Sequence, residues 1–164
     1  MANLLVNGDL SASAGVGATS TPGPGWATDY LVPAGGQLFG GAGAGAARYA
    51  FFTGDAGDVC NNHATANMIP ALGGKSMAVN VGSNLAQDII RWTNVELVNG
   101  ARYKISMDAA VIIFPFSVAM VIDGAPILAV PAPPVAGVWF NTSSEFTWLG
   151  TTGPHTVALR TNSG

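Results

Sequence analysis

The segment that most constrains the fold of this chain is residues 92–124, which contain a turn signal between two strand-like runs. Asn99 and Gly100 stand between the apolar-rich run V-E-L-V and the alternating run A-R-Y-K-I-S-M. This dipeptide favours a type I′ hairpin, because both central residues of that turn have positive φ. From residue 102 to residue 108 polar and apolar side chains alternate, which predicts a strand with one solvent-facing side and one buried side.

A different pattern follows, because residues 111–114 and 118–122 are apolar at nearly every position. A strand of this composition is covered on both faces. We expect the core of the chain to cover one face and a partner to cover the other. The partner that we expect is the chain itself, as a homotrimer, with Val118, Met120 and Ile122 in the interface.

The remainder of the chain predicts further short strands separated by turn residues, among them a second two-residue turn at Asp123-Gly124 that leads into residues 127–130. The runs 29–32, 48–53, 76–81, 86–98, 127–130, 138–149 and 155–161 are strand-like, and residues 3–6 form a first short strand. No segment shows a 3.6-residue period. The expected fold class is therefore all-β, an antiparallel β-sandwich of jelly-roll type, in a single domain spanning residues 1–164.

Two long segments rich in small residues, 11–28 and 35–47, are predicted loops. Fixing each residue of such a segment costs on the order of 1–2 kcal/mol of conformational entropy. Their large apolar side chains are chiefly Trp26, Leu38 and Phe39. We therefore expect these three residues to dock onto a neighbouring molecule rather than onto the core of this chain.

The composition argues against several classes of protein. Only 9% of the 164 residues are charged, compared with about 25% in ordinary soluble domains, and the mean hydropathy is +0.37. A net charge of −3 without a basic cluster argues against nucleic-acid binding. No apolar run reaches the ~18 residues of a membrane helix. The N-terminal segment lacks the features of a secretory signal, so we expect folding in a cytoplasm.

The order of several short motifs resembles a known family. These motifs are N-L-L-V-N-G-D-L at the start, G-W at 25–26, G-G-K-S-M-A-V-N at 73–80, V-N-G-A-R-Y-K-I-S at 98–106, V-I-D-G at 121–124 and G-V-W-F at 137–140. Together they resemble the jelly-roll carbohydrate-binding modules with a galactose-binding-like fold. Domains of this kind also serve as decoration proteins on virus particles, so the resemblance implies a fold more strongly than a function.

The resemblance also implies a sugar-binding face. Related modules place an aromatic residue on the concave sheet where this chain has Trp92. Its ring would stack on a sugar, while Arg91, Gln87 and Asn94 would bond to hydroxyl groups, with Asn84 also near in sequence. A tryptophan buried in the core or an interface is the alternative interpretation of Trp92.

Catalytic and metal-binding motifs are sparse. The sequence contains no G-x-S-x-G, P-loop or H-E-x-x-H motif. Cys60 and His63 have metal-like spacing, but only His155 and Asp55 or Asp58 could complete a zinc site. The related modules often hold calcium between an acidic residue such as Asp9 and an acidic terminal strand, and this chain ends in T-N-S-G. We therefore predict no metal and no other cofactor.

These observations lead to one preferred function and one alternative. The preferred function is a non-enzymatic capsid decoration (cement) protein of a bacterial virus, assembled in the host cytoplasm onto the virion surface. In this role the chain would clamp neighbouring subunits of the major capsid protein or another virion protein. The alternative is a carbohydrate-binding module for a host-surface glycan or polysaccharide.

Overall fold

The fold was obtained as a computed structural model, which describes residues 4–5, 10, 12–40, 46–81, 86–113 and 117–161. The described part is built of antiparallel strands joined by loops and short 3₁₀ turns, as the sequence predicts for an all-β chain. Residues 3 and 6 of the predicted first strand, the residue Asp9 and all of 41–45 lie outside the described residues, while Leu4 and Leu5 are described and belong to no strand. The strands are β1 (Arg48–Phe52), β2 (Ser76–Asn80), β3 (Asp88–Leu97), β4 (Arg102–Ala109), β5 (Val118–Ile122), β6 (Ala125–Ala129), β7 (Phe140–Thr147) and β8 (Gly153–Thr161).

The strands form three antiparallel sheets. A four-stranded sheet has the order β3-β8-β5-β6, and two ribbons pair β1 with β2 and β4 with β7. The predicted strand at 29–32 is reduced to a single bridge between Leu31 and Arg48. The sheet order brings the last strand between two earlier ones, so most strand pairs join residues that are far apart in sequence.

The turn at Asn99 and Gly100 does not form the predicted hairpin. β3 pairs with β8 and β4 pairs with β7, so the turn connects two different sheets. Gly100 has φ of 78°, whereas Asn99 is not among the residues with positive φ, which excludes a type I′ turn. The amide of Ala101 donates to the carbonyl of Val98 at 3.1 Å and closes the turn. The prediction of a hairpin here was wrong because the same dipeptide suits other turns with positive φ at the glycine.

The second two-residue turn confirms its prediction. Asp123 and Gly124 have φ of 51° and 84°, as a type I′ turn requires, and they join β5 to β6. The alternation in β4 is also confirmed, since its even-numbered residues are exposed and its odd-numbered residues are partly buried. Local patterns of this kind depend on backbone geometry alone, which explains why they can be predicted.

Two apolar clusters fill the interior, and β1 lies between them. Tyr49 and Phe51 point into the larger cluster, which contains the inner face of the four-stranded sheet. Ala50 and Phe52 point the other way, into a smaller cluster formed with the loops that follow β1. Partly buried side chains of β4 and β7 also pack against the larger cluster, namely Tyr103, Ile105, Met107 and Phe146.

The two long loops are anchored on this interior. Trp26 lies in the larger cluster and makes edge-to-face contacts with Tyr49 and Phe51 at centroid distances of 6.5 and 6.2 Å. Leu38 lies in the smaller cluster, and Phe39 packs against that cluster with part of its surface exposed. The expectation that partners order these loops underestimated such anchors, because one indole buries more apolar area than several small residues.

Candidate functional site

One of the predicted sugar-binding residues, Arg91, belongs to a cluster of four charged side chains on the four-stranded sheet. Asp88 is buried, and its carboxylate accepts from Arg91 at 2.9 Å and from Arg160 at 2.6 Å. Arg91 also bonds to Asp29 at 2.9 Å. The pairing of β3 with β8 places Asp88 opposite Arg160, so the strand register assembles the cluster.

The protonation states in this cluster are fixed by mutual contacts. Burial opposes ionisation of Asp29, but a hydrogen bond from the Asp88 amide and the Arg91 guanidinium outweigh it and lower its pKa. Hydrogen bonds to Asp88 raise the pKa of Arg91 and of Arg160. Two basic side chains therefore face two acidic ones, and the cluster has no excess of either kind.

Trp92 does not take the predicted place beside Arg91. Successive residues of a strand point to opposite faces, so Trp92 points into the core and is only 4% exposed. A ring at this depth cannot stack on a sugar, and the interpretation of Trp92 as a core residue fits its position. Its register partner on β8 is Val157, which is also buried.

The remaining predicted sugar-binding residues are separated from one another. Asn94 is exposed at a β-bulge, where its φ of 58° follows from the register shift between Trp92 and Val95. Gln87 is half-buried, and its backbone pairs with Thr161 at the end of β8. Asn84 lies outside the described residues. The structure thus keeps Arg91 and Asn94 at the surface but does not assemble the predicted aromatic platform.

Most of the predicted interface residues are buried within this chain. Val118, Met120 and Ile122 lie on the inner face of β5 in the larger cluster. All five residues of β5 are buried, so both faces of this strand are covered without a second copy. Trp26 and Leu38 are 6% and 1% exposed, and among the predicted interface residues only Phe39 is partly exposed. The five buried side chains therefore present no surface to a partner in this structure, whereas Phe39 does.

The segment around Cys60 is built as a packed loop. Cys60 is buried in the smaller cluster, and burial raises the pKa of its thiol to about 12. Asp55 caps the 3₁₀ turn Ala56–Asp58 by accepting from the Gly57 amide at 2.8 Å. Across the described ranges, no group of three or more His, Cys, Asp or Glu side chains could hold a metal ion.

An exposed apolar surface lies at residues 134–140, which we call the apolar ridge. Val135 and Val138 are 58% and 52% exposed, and Phe140 is 39% exposed. Together with Pro134 and Trp139 they line a shallow pocket of about 140 Å³. These side chains belong to the Pro-rich connection and the start of β7, and they present an almost wholly apolar surface to solvent.

The apolar ridge is held rigidly by the residues beneath it. The indole nitrogen of Trp139 donates to the carbonyl of Pro70 at 2.7 Å. Gly137 donates its amide to the carbonyl of Val111 at 2.9 Å, and it packs so closely on Thr65 that a Cβ atom at residue 137 would lie 3.2 Å from the Thr65 methyl group. A ridge fixed on both sides has little conformational entropy left to lose on binding.

No local pattern in the sequence marks this surface as an interaction site. Trp139 is half-buried and packs with part of its ring against the smaller cluster. The usable signal was the run of Pro and Val at 130–138, since proline excludes regular ladder pairing and leaves apolar side chains outside a sheet. That signal indicates irregular backbone but not exposure, which depends on the packing of distant loops.

In comparisons with known proteins, no family model, no curated protein and no solved structure matches the chain. Among the described residues, no helix has the length and apolar character needed to cross a membrane.

Proposed function

We propose that this chain is a non-enzymatic interaction module with a jelly-roll fold that attaches to a larger protein assembly through the apolar ridge. The assembly that we propose is the shell of a bacterial virus, on whose surface the chain acts as a decoration (cement) protein. The observation that carries the proposal is the exposure of Val135, Val138 and Phe140 on a fixed backbone. Contiguous exposed apolar surface on a folded domain marks sites of protein–protein contact.

The charge distribution supports the same conclusion. The apolar ridge lies within residues 126–144, a stretch that contains no charged residue, and the chain as a whole has few charges. The centre of a protein–protein interface is depleted in charged residues and enriched in aromatic ones. Trp139 and Phe140 therefore suit the centre of such an interface, while Val135 and Val138 flank it.

The mechanism of stabilisation would be mass action. A module that binds only assembled subunits lowers the free energy of the assembled state. The size of this stabilisation increases with the ratio of the module's concentration to its dissociation constant. An interface of about 800 Å² on each partner suffices for specific binding, and the ridge would supply its apolar centre.

Density-gradient sedimentation of particles from the source cells tests this proposal. The chain should sediment with large particles, and Val138→Asp should move it to the soluble fractions. Leu149→Asp is the matched control, because Leu149 is 79% exposed and lies outside the ridge. A chain that stays soluble in all fractions would contradict the proposal. Binding to a glycan array, with no particle association, would instead favour the carbohydrate-binding alternative.

A further inference from the structure

We propose that the outer edge of β4 pairs with the same edge of a second copy of this chain. β4 and β7 form a two-stranded sheet with eight consecutive residue pairs and no register shift. Among the described residues no strand pairs with the other side of β4. A long, regular strand with an unpaired side is a template for a further strand.

The hydrogen bonds of the sheet show which backbone groups face this edge. The amide of Trp148 donates to the carbonyl of Ala101 at 3.0 Å, in the same register as the pairs of β4 with β7. Backbone groups alternate in direction along an antiparallel strand. The odd-numbered residues of β4 therefore bond to β7, and the amides and carbonyls of the even-numbered residues point to the unpaired edge. These even-numbered residues are Arg102, Lys104, Ser106 and Asp108.

Other strand edges are less suited to pairing. The outer side of β3 is occupied by Ala27, which exchanges two hydrogen bonds of 2.8 Å with Arg91. Pro126 interrupts the outer edge of β6, since it has no amide proton to donate. The outer edge of β7 is regular but carries Glu145 as its one charged residue among 140–147, so two copies of it offer no opposite charges.

The edge of β4 is self-complementary in charge. An antiparallel pair centred on Ile105 places Arg102 of each copy opposite Asp108 of the other, and Lys104 opposite Ser106. Opposite charges at directly opposed positions stabilise a strand pair. A register centred on Lys104 would oppose two lysines. One centred on Ser106 would oppose Lys104 to Asp108 but would place Arg102 opposite a residue beyond the end of β4. The register centred on Ile105 keeps every charged side chain of β4 within the paired segment, and it is the register that we propose.

The other face of β4 gains from the same register. Tyr103, Ile105 and Met107 are only partly buried in the single chain. In the proposed pair Tyr103 lies opposite Met107 of the second copy, and Ile105 lies opposite its own counterpart. Pairing would remove further apolar surface from water, which is favourable.

The result is a two-fold dimer with a continuous sheet of the order β7-β4-β4-β7. This symmetry replaces the homotrimer expected from the sequence, whose motive was an uncovered face of β5 that is in fact buried. The edge of β4 is distinct from the apolar ridge. Substitutions at one surface can therefore abolish self-pairing without affecting attachment to a particle, and the two proposals can be tested independently.

Sedimentation equilibrium over a wide concentration range, with two matched proline variants, tests the edge. Ser106→Pro removes an amide that faces the unpaired edge and leaves the bonds to β7 in place. Ser143→Pro is the control, because Ser143 is the register partner of Ser106 and its amide faces the opposite edge. We expect a concentration-dependent wild-type dimer, weakened at least tenfold by Ser106→Pro and unchanged by Ser143→Pro. A wild-type monomer at every concentration, or equal effects of the two prolines, would overturn the proposal.

Charge exchange tests the register independently of proline. Arg102→Asp and Asp108→Arg each place like charges opposite each other, so each variant alone should be monomeric. When the two variants are mixed, residue 102 of each chain again lies opposite a residue 108 of the other charge. A heterodimer should therefore form. Circular dichroism of each variant shows that it is folded before mixing. Homodimers of both variants as stable as the wild type, or folded variants that form no heterodimer, would refute this register.

Discussion

The imidazole of His155 lies between two acceptors, with Nδ1 2.7 Å from a carboxylate oxygen of Asp123 and Nε2 2.9 Å from the carbonyl of Thr151. Neither acceptor can donate a proton when Asp123 is ionised, so both ring nitrogens donate only when the imidazole is protonated. The side chain is 7% exposed, and the Trp148 ring packs edge-on against it at 4.8 Å. The hydrogen bonds of His155 to Asp123 and Thr151 thus connect the β5–β6 turn to the loop before β8.

The first prediction concerns the pH dependence of stability. The hydrogen bond to Asp123, followed by that to Thr151, raises the pKa of His155, while the bond from His155 lowers the pKa of Asp123. A histidine whose pKa is raised on folding stabilises the folded state. This stabilisation is complete at pH values below the pKa of the unfolded state, about 6.5, and it is lost as pH rises through the pKa of the folded state. The melting temperature of the wild type should therefore fall from pH 6 to pH 8.5 more than that of His155→Gln.

The control for this experiment is the other histidine. The pH dependence that His155 contributes should remain in His63→Gln, because His63 lies in a different loop and contacts Phe39 instead. The lowered pKa of Asp123 affects stability only as pH falls below about 3.9, outside the range compared. Identical pH profiles for the wild type and His155→Gln would show that the contact does not hold the proton.

The second prediction concerns the buried carboxylate of Asp88. Asp88→Ala leaves two partly exposed guanidinium groups without their shared anion, and the loss of these charged hydrogen bonds should cost about 1.5–3 kcal/mol. Glu145→Ala is the matched control, since its 2.6 Å bond to Arg102 is exposed and should contribute less than about 1 kcal/mol. Urea unfolding measures both. Equal losses would show that the cluster is no more stabilising than a surface ion pair.

The third prediction concerns the anchoring of the first long loop. The buried hydroxyl of Ser20 accepts from the amide of Phe51 at 2.8 Å. Ser20→Ala leaves this buried amide unsatisfied and should cost about 1–3 kcal/mol. In hydrogen exchange the Phe51 amide of the isolated protein should be protected, and Ser20→Ala should accelerate its exchange.

The exposed Thr21 next to it provides the comparison. Its hydroxyl lies 3.5 Å from the carbonyl of Ala14, so Thr21→Ala should change exchange and stability little. Rapid exchange of Phe51 in the isolated wild type would restore the original expectation that a partner orders this loop.

The fourth prediction concerns the reactivity of Cys60. The thiolate is the reactive form, and burial raises the pKa of this thiol to about 12. Alkylation by iodoacetamide at pH 7.5 should therefore be slow in the folded protein and fast in urea. Ala66→Gly, which opens space in the same cluster, should increase the rate in the folded state. Fast labelling of the folded wild type would contradict the burial of the thiol.

The candidate surfaces were less predictable than the strands. The pattern of 102–108 correctly predicted which side of β4 faces water, and Asp123-Gly124 correctly predicted a hairpin. Arg91 and Trp92 are adjacent in sequence, and the period of two already required their side chains to point to opposite faces. The sugar-site hypothesis nevertheless placed both on one face, whereas the exposed apolar ridge had no local signal.

The sequence alone determined the β class, the positions of most strands and the alternation of their side chains. These depend on local backbone geometry and on the apolar pattern, which each segment carries by itself. Only the tertiary structure decided that β3 pairs with β8, that Asn99 and Gly100 join two sheets, and that Trp92 is buried. Such pairings are set by the combined burial of residues distant in sequence, such as Trp92 and Val157, and no single segment specifies them.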